Sequence, residues 1–288
     1  MRRFVVGLAL GAGLCVVWFG LAAPAQVQFN TAGAGAKDAD IAAALGLICP
    51  ADKIKHGKEG KVSGCATCPR GTDFFGQGQS KWEIYAATPG HFISAKDDDL
   101  LIDGQGCDAD ASGNGGSFVF AINAGKVKLI RYEKGLITDQ CFKFAYADGR
   151  DGLVCRDGSY LQGEGDERVF VTSFDATGKS LLKALVRARD TTGTCGGDGT
   201  QVVMRWDITD LRLVRKAGSE SAAGVSAQIT GLVVQERIGD ERCSQIATER
   251  KTKAVPSLVK TYTVKFTFDG RQFKIDPSSK VVVPELAG

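Results

Sequence analysis

Two cysteines separated by two residues, Cys65 and Cys68 in "GCATCPRG", are the first residues whose type and spacing could do chemistry. Such a pair serves as half of a zinc site, as a redox-active dithiol, as part of a haem attachment site, or as two cysteines bonded to distant partners. A four-cysteine zinc site needs a second close pair, and Cys49 lies too far upstream to supply one. Covalent haem needs His after the second cysteine, where Pro69 stands. A thioredoxin-like dithiol opens a helix after a strand, whereas "CATCPRGTDFFGQGQS" is rich in turn residues. Structural disulfides are the leading expectation, with a thiol oxidoreductase using Cys65 and Cys68 as an alternative.

The N-terminus bears on that choice through the compartment it implies. Residues 1–25 run from Arg2 and Arg3 through an apolar stretch, Phe4 to Ala22, to Ala23-Pro24-Ala25, the order of a secretory signal peptide cleaved after Ala25. The chain is expected to be secreted or periplasmic, with no membrane span after cleavage; an uncleaved anchor is the alternative. Cys15 leaves with the signal, and Cys49, Cys65, Cys68, Cys107, Cys141, Cys155, Cys195 and Cys243 remain, an even set that suits four bridges. One pairing follows from spacing. In "CFKFAYADGRDGLVC" a hairpin turning at Asp148-Gly149 sets Cys141 opposite Cys155.

Charge excludes one class of partner. Removing Arg2 and Arg3 takes the formal net charge from +3 to +1, so there is no electrostatic case for nucleic acid. Lys55, Lys58 and Lys61 make a basic patch that Asp52 and Glu59 dilute, as in a solvated loop. The expected partner is an extracellular or periplasmic ligand of unknown identity.

Other constellations are fragments. Asp108, Asp110, Ser112 and Gly113 in "CDADASGNGGSFVF" match the first half of a calcium loop, but its twelfth position holds Val119 instead of the closing Glu. Calcium is therefore a candidate there, and no other cofactor is expected. "DATGKS" lacks the upstream Gly of a phosphate loop and falls on a hairpin. His56 and His91 are the only histidines, no G-x-S-x-G elbow is present, and the S-x-x-K spacings at Ser180 and Ser257 come without companion motifs. No catalytic residue is assigned. Acid neighbours, Asp97 to Asp99 and Asp166 with Glu167, leave a glycosidase-like pair open. Trp82, Tyr85 and His91 are the candidate binding residues, and Tyr132 and Tyr160 could extend such a surface.

The elements that must position these groups are mostly strands. Residues 26–48 read as a Gly/Ala-rich leader with a short helix over 39–47 capped by Asp38, and 49–80 as a Cys-rich turn region. From residue 81 to 288 short alternating segments predict a β-rich domain, with 217–224 as the place where two subdomains would meet. Hairpins are expected at 117–132, 168–188 and 262–275, each turning on Asn or Asp with Gly. Cys141, Cys195 and Cys243 follow comparable strands about 50 residues apart, near a propeller-blade period. The fold class is mainly β, with antiparallel sheets arranged as a β-propeller or as a sandwich.

Two segments, "PGHFISAKDDDLLIDG" (89–104) and "FAYADGRDGLVCRDG" (144–158), resemble FG-GAP repeats, the blade units of integrin-α-like propellers. The resemblance implies a propeller used as a binding scaffold. Calcium held by a D-x-D-x-D-G loop is also part of that family's pattern, but "SAKDD" and "ADGRD" lack the aligned carboxylates. The leading functional expectation is a disulfide-stabilised binding or structural module. A secreted hydrolase acting on cell-wall or polysaccharide material is the alternative, to be favoured by a pocket holding two carboxylates beside Trp or Tyr.

Overall fold

The computed structural model describes residues 35–70, 81–107, 115–161, 164–191, 204–215, 222–234 and 257–280. Helix α1 (Asp38–Ile48) comes first, followed by β1 (Ile54–His56), β2 (Val62–Cys65), β3 (Trp82–Gly90), β4 (Asp98–Gln105), β5 (Gly116–Asn123) and β6 (Lys126–Lys134). A linker over 135–140 leads to β7 (Cys141–Ala145), β8 (Asp151–Leu161), β9 (Glu164–Phe174) and β10 (Ser180–Asp190). The chain continues through β11 (Met204–Arg215), β12 (Ala222–Val234), β13 (Ser257–Phe268) and β14 (Phe273–Ile275). Strands β1–β6 form one sheet and β7–β14 a second, each an antiparallel meander in sequence order.

The architecture is mainly β and sandwich-like, as the alternation of the sequence implies. It is not a propeller. Blades would be four-stranded sheets around an axis, whereas the strands here join into sheets of six and eight. The two FG-GAP-like segments fall on β3–β4 in one sheet and β7–β8 in the other, so they do not repeat one unit. Two short strands, β1 and β2, lie inside the Cys-rich turn region, where β2 adds its edge to β3 through Gly64↔Glu83 and Cys65↔Trp82.

Local chemistry explains the elements. In α1, Ile41, Ala44, Leu45 and Ile48 recur at helical spacing and are buried against β2 and β6. Its N-cap is Lys37, which supplies no side-chain bond, so packing holds this helix. The β7–β8 turn places Gly149 at φ +84°, and Asp148 accepts the backbone N–H of Arg150. This is the division of labour expected when Asp precedes Gly in a turn.

Three apolar clusters result. One lies between α1 and the first sheet, built on Trp82, Ile102, Phe118 and Phe120. A second fills the inner face of the larger sheet, from Phe142 and Phe144 to Trp206, Phe266 and Phe273. The third joins the sheets through Phe92, Leu101, Val119, Leu153 and Phe170. Strand β4 is buried on both faces, with Leu100 and Ile102 towards α1 and Leu101 towards the second sheet. By strand alternation Asp99 and Asp103 share the face of Leu101. Two carboxylates thus lie in the layer between the sheets.

Three disulfides are formed among the described residues: Cys49–Cys65, Cys68–Cys107 and Cys141–Cys155. The members of the C-x-x-C are bonded to different partners, which overturns the dithiol reading of Cys65 and Cys68. Cys141 and Cys155 are directly opposed in the β7–β8 register. Cys195 and Cys243 lie outside the described residues.

Candidate binding cleft

A cleft of about 350 Å³ opens where the first sheet, the 135–140 linker and the second sheet meet. From the first sheet, β3 contributes Tyr85 and β4 contributes Asp103, Gly104 and Gln105. The linker contributes Ile137, Asp139 and Gln140. The second sheet supplies Arg156, Asp157 and Gly158 from β8 and Glu167 from β9.

Register sets the charges of the far wall. Gly158 faces Glu167 across the β8–β9 pair, and a Cβ on Gly158 would lie 3.2 Å from Glu167 Cγ. With that position empty, Glu167 leans diagonally and accepts Arg156 Nη2 at 3.0 Å, while its other oxygen accepts the backbone N–H of Ile208 at 2.7 Å. Asp157 stands opposite Arg168 and accepts Nη2 at 2.7 Å. Both carboxylates are thereby committed to cations.

The near wall is built differently. Gly104 has no side chain because Trp82 fills the space; a Cβ there would lie 1.9 Å from the indole. Trp82 is itself wholly buried, edge-on to Phe118 at 5.6 Å, so it is a core residue with no face for a ligand. Tyr85, three residues on, is 44% exposed and stands at the cleft. Gln105 and Gln140 present amides that no side-chain hydrogen bond within the described residues consumes.

The remaining carboxylates are perturbed by burial. Asp139 is half-buried, hydrogen-bonded by the backbone N–H groups of Gln140 and itself; desolvation raises its pKa, and the nearby charge of Asp157 adds to the shift. No cation among the described residues pairs with it. Asp103 is completely buried, and desolvation pushes its pKa up to about 6 against the bonds from Ser117 and Thr138. One cleft therefore holds carboxyls of two kinds, ion-paired and desolvated.

The other candidates lie elsewhere. His91 follows β3 at the far end of the strand; its Nδ1 is 2.9 Å from the Asp97 carbonyl oxygen and 3.7 Å from Asp98 Oδ1. Its backbone N–H donates to Asp151 Oδ2 at 2.9 Å, joining the two sheets. Asp99 accepts the Ile93 N–H at 2.8 Å and organises the same loop, and burial raises its pKa to about 6. His91 and the acid run thus shape a loop and do not reach the cleft. Asp166 and Glu167 separate: Asp166 approaches Arg187, and Glu167 alone lines the cleft. Tyr132 is part of the first core, at 4.6 Å from Phe118.

The half calcium loop, Asp108, Asp110 and Ser112, lies outside the described residues, as does the side chain of Tyr160. Among the described residues no group of three or more His, Cys, Asp or Glu is placed to hold a metal, and no helix is long and apolar enough to cross a membrane. The sequence singles out Tyr85 and Glu167 but not Gln105, Asp139, Gln140 and Arg156; the first three share only polarity beside strand ends, and Arg156 lies in the middle of β8. Comparisons with family models, curated proteins and solved structures found no match for this chain.

Proposed function

We propose that the chain is an exported, disulfide-stabilised binding module whose ligand seat is the cleft between the two sheets. The observation that carries this reading is the set of groups there: the exposed Tyr85 ring, the amides of Gln105 and Gln140, which no side-chain hydrogen bond among the described residues consumes, and the Asp139 carboxyl, which no cation among the described residues pairs with. Amides and a carboxyl donate to and accept from hydroxyl groups, and a tyrosine face covers the apolar side of a sugar ring. The ligand class is a small polyhydroxyl compound. Export is supported by three disulfides, which persist in oxidising compartments; the signal over residues 1–25 remains part of the proposal.

Calorimetric titration with a panel of mono- and oligosaccharides tests the reading. Saturable binding that weakens about tenfold or more in Gln105→Ala/Gln140→Ala supports it, since a lost hydrogen bond to a ligand is worth about 1–2 kcal/mol. Failure of every panel member, or unchanged binding in the double variant, contradicts it.

One observation favours a second reading, a polysaccharide hydrolase. Asp139 is held towards its neutral form beside Asp157, which is ion-paired with Arg168. A desolvated carboxyl with a raised pKa beside a second carboxyl is what a glycosidase needs for its general acid. In that case Asp139→Asn retains binding and abolishes release of reducing ends.

A further inference from the structure

The 135–140 linker that walls the cleft is fastened to β4 by one buried side chain. Asp103 Oδ2 accepts the Thr138 backbone N–H at 2.5 Å and the Thr138 hydroxyl at 2.6 Å. Its Oδ1 lies 2.6 Å from Ser117 Oγ, and that same hydroxyl lies 2.6 Å from the Leu136 carbonyl oxygen. A serine hydroxyl has one proton, and a carboxylate and a carbonyl can only accept. One proton cannot serve both contacts. If Asp103 carries a proton on Oδ1, it donates to Ser117 Oγ, which in turn donates to Leu136, while Oδ2 keeps lone pairs for both Thr138 donors. Every contact is then satisfied. If Asp103 is ionised, Ser117 must abandon either the carboxylate or the Leu136 carbonyl.

We propose that Asp103 is a proton-operated latch: as a neutral acid it fastens Leu136 and Thr138 to β4, and ionisation loosens the linker wall of the cleft. The latch stands on the contacts just given, while its consequence for ligand rests on the cleft being the ligand seat. Complete burial favours the neutral acid, consistent with its raised pKa. The charge of Asp139 on the linker acts in the same direction. The other ionisable groups around the cleft are Tyr85 from β3, Arg156 and Asp157 from β8, and Glu167 from β9; Arg156 with Glu167 and Arg168 with Asp157 form closed ion pairs. Neither histidine lines the cleft, so a transition near pH 6 in the linker is not an imidazole's.

Amide hydrogen exchange of residues 136–141, corrected for intrinsic rates and measured without ligand, tests the latch. Wild-type protection is expected to fall about tenfold between about pH 5 and about pH 7.5, the ratio that a carboxyl titrating near 6 in the closed state and near 4 in the open state gives. Asp103→Asn, whose amide can donate to Ser117 as the acid does, is expected to hold protection flat across that range. Asp99→Asn, which removes the other buried carboxyl of β4, should follow wild type. A wild-type profile that is flat, or an Asp103→Asn profile that falls as wild type does, overturns the proposal. If Asp103→Asn does not fold, the Asp103 carboxyl resonance of wild type decides: titration together with the linker amides supports the latch, and titration near pH 4 or without them overturns it. Sugar titration at the same two pH values separates the two claims, since a pH-dependent linker with pH-independent or absent binding removes the cleft reading and leaves the latch.

Discussion

The two sheets divide the same stability problem differently between covalent restraint and burial. The first has strands of 3–9 residues, a helix on its outer face and two disulfides, Cys49–Cys65, which ties a loop to β2, and Cys68–Cys107, which ties the loop after β2 to the loop after β4. In the second, β8 to β13 run 11–13 residues and bury one continuous apolar face from Phe144 to Phe273. Short strands bury little apolar area, so covalent restraint of the unfolded chain takes a larger share. Long strands supply it through burial. The cleft lies at the seam, where both sheets and the linker contribute side chains.

The largest expected effect comes from overfilling the first sheet. Gly104→Val would drive a side chain into the Trp82 indole, and we expect a loss of about 3 kcal/mol or more, with thermal unfolding read by near-ultraviolet circular dichroism. A similar melting temperature to wild type would mean that Trp82 can move, and that this sheet is less tightly packed than described.

Removing the disulfides sharpens the comparison. Replacing Cys68 and Cys107 by Ser should cost about 2–5 kcal/mol, and the same change at Cys141 and Cys155 less by about 1 kcal/mol, because the loops they close span 39 and 14 residues. Limited proteolysis should cut the first sheet before the second in the Cys68/Cys107 variant. Equal losses would show that native-state contacts outweigh loop entropy.

The pH dependence has a sign set by burial. Asp103 has a folded-state pKa raised to about 6, so folding takes up its proton. Its stabilising contribution is full below about pH 4 and is lost as pH rises through about 6, by about 2–3 kcal/mol. Asp99, also raised by burial to about 6, acts in the same direction. The turn aspartates Asp148 and Asp175 have lowered values, through the Arg150 N–H and the Thr177 hydroxyl respectively, and their contribution is present above pH 4 and lost below it. Denaturation midpoints should therefore peak near about pH 4 and fall towards about pH 6, and Asp103→Asn should flatten that fall. The smallest effect belongs to His91→Ala, a half-exposed side chain on a loop, at under about 0.5 kcal/mol by the same assay.

Local chemistry made the turns legible. Hairpins at Asn123 to Gly125, Asp175 to Gly178 and Asp269-Gly270 are where the Asn/Asp and Gly signals put them, and the equal spacing of Cys141 and Cys155 about Asp148-Gly149 appears in the register. What escaped depends on partners far away in sequence. Nothing local in "LLIDGQG" marks Asp103 as buried, yet Ser117 and Thr138, 14 and 35 residues later, hold it as a buried strand residue. Strands β1 and β2 exist because β3 offers an edge, which no pattern within "DKIKHGKEGKVSGC" reveals. The cleft was half visible, through Tyr85 and Glu167, because Asp139, Gln140 and Arg156 meet them only after the linker has turned the chain between sheets.

The central claim is that the seam between the sheets is where this protein meets its ligand. Backbone chemical-shift mapping of the isotope-labelled protein against the saccharide panel tests it most directly. The account predicts saturable shifts confined to 103–105, 137–140, 156–158 and the amide of Tyr85. Shifts clustered on another face, or none with any member of the panel, would contradict it.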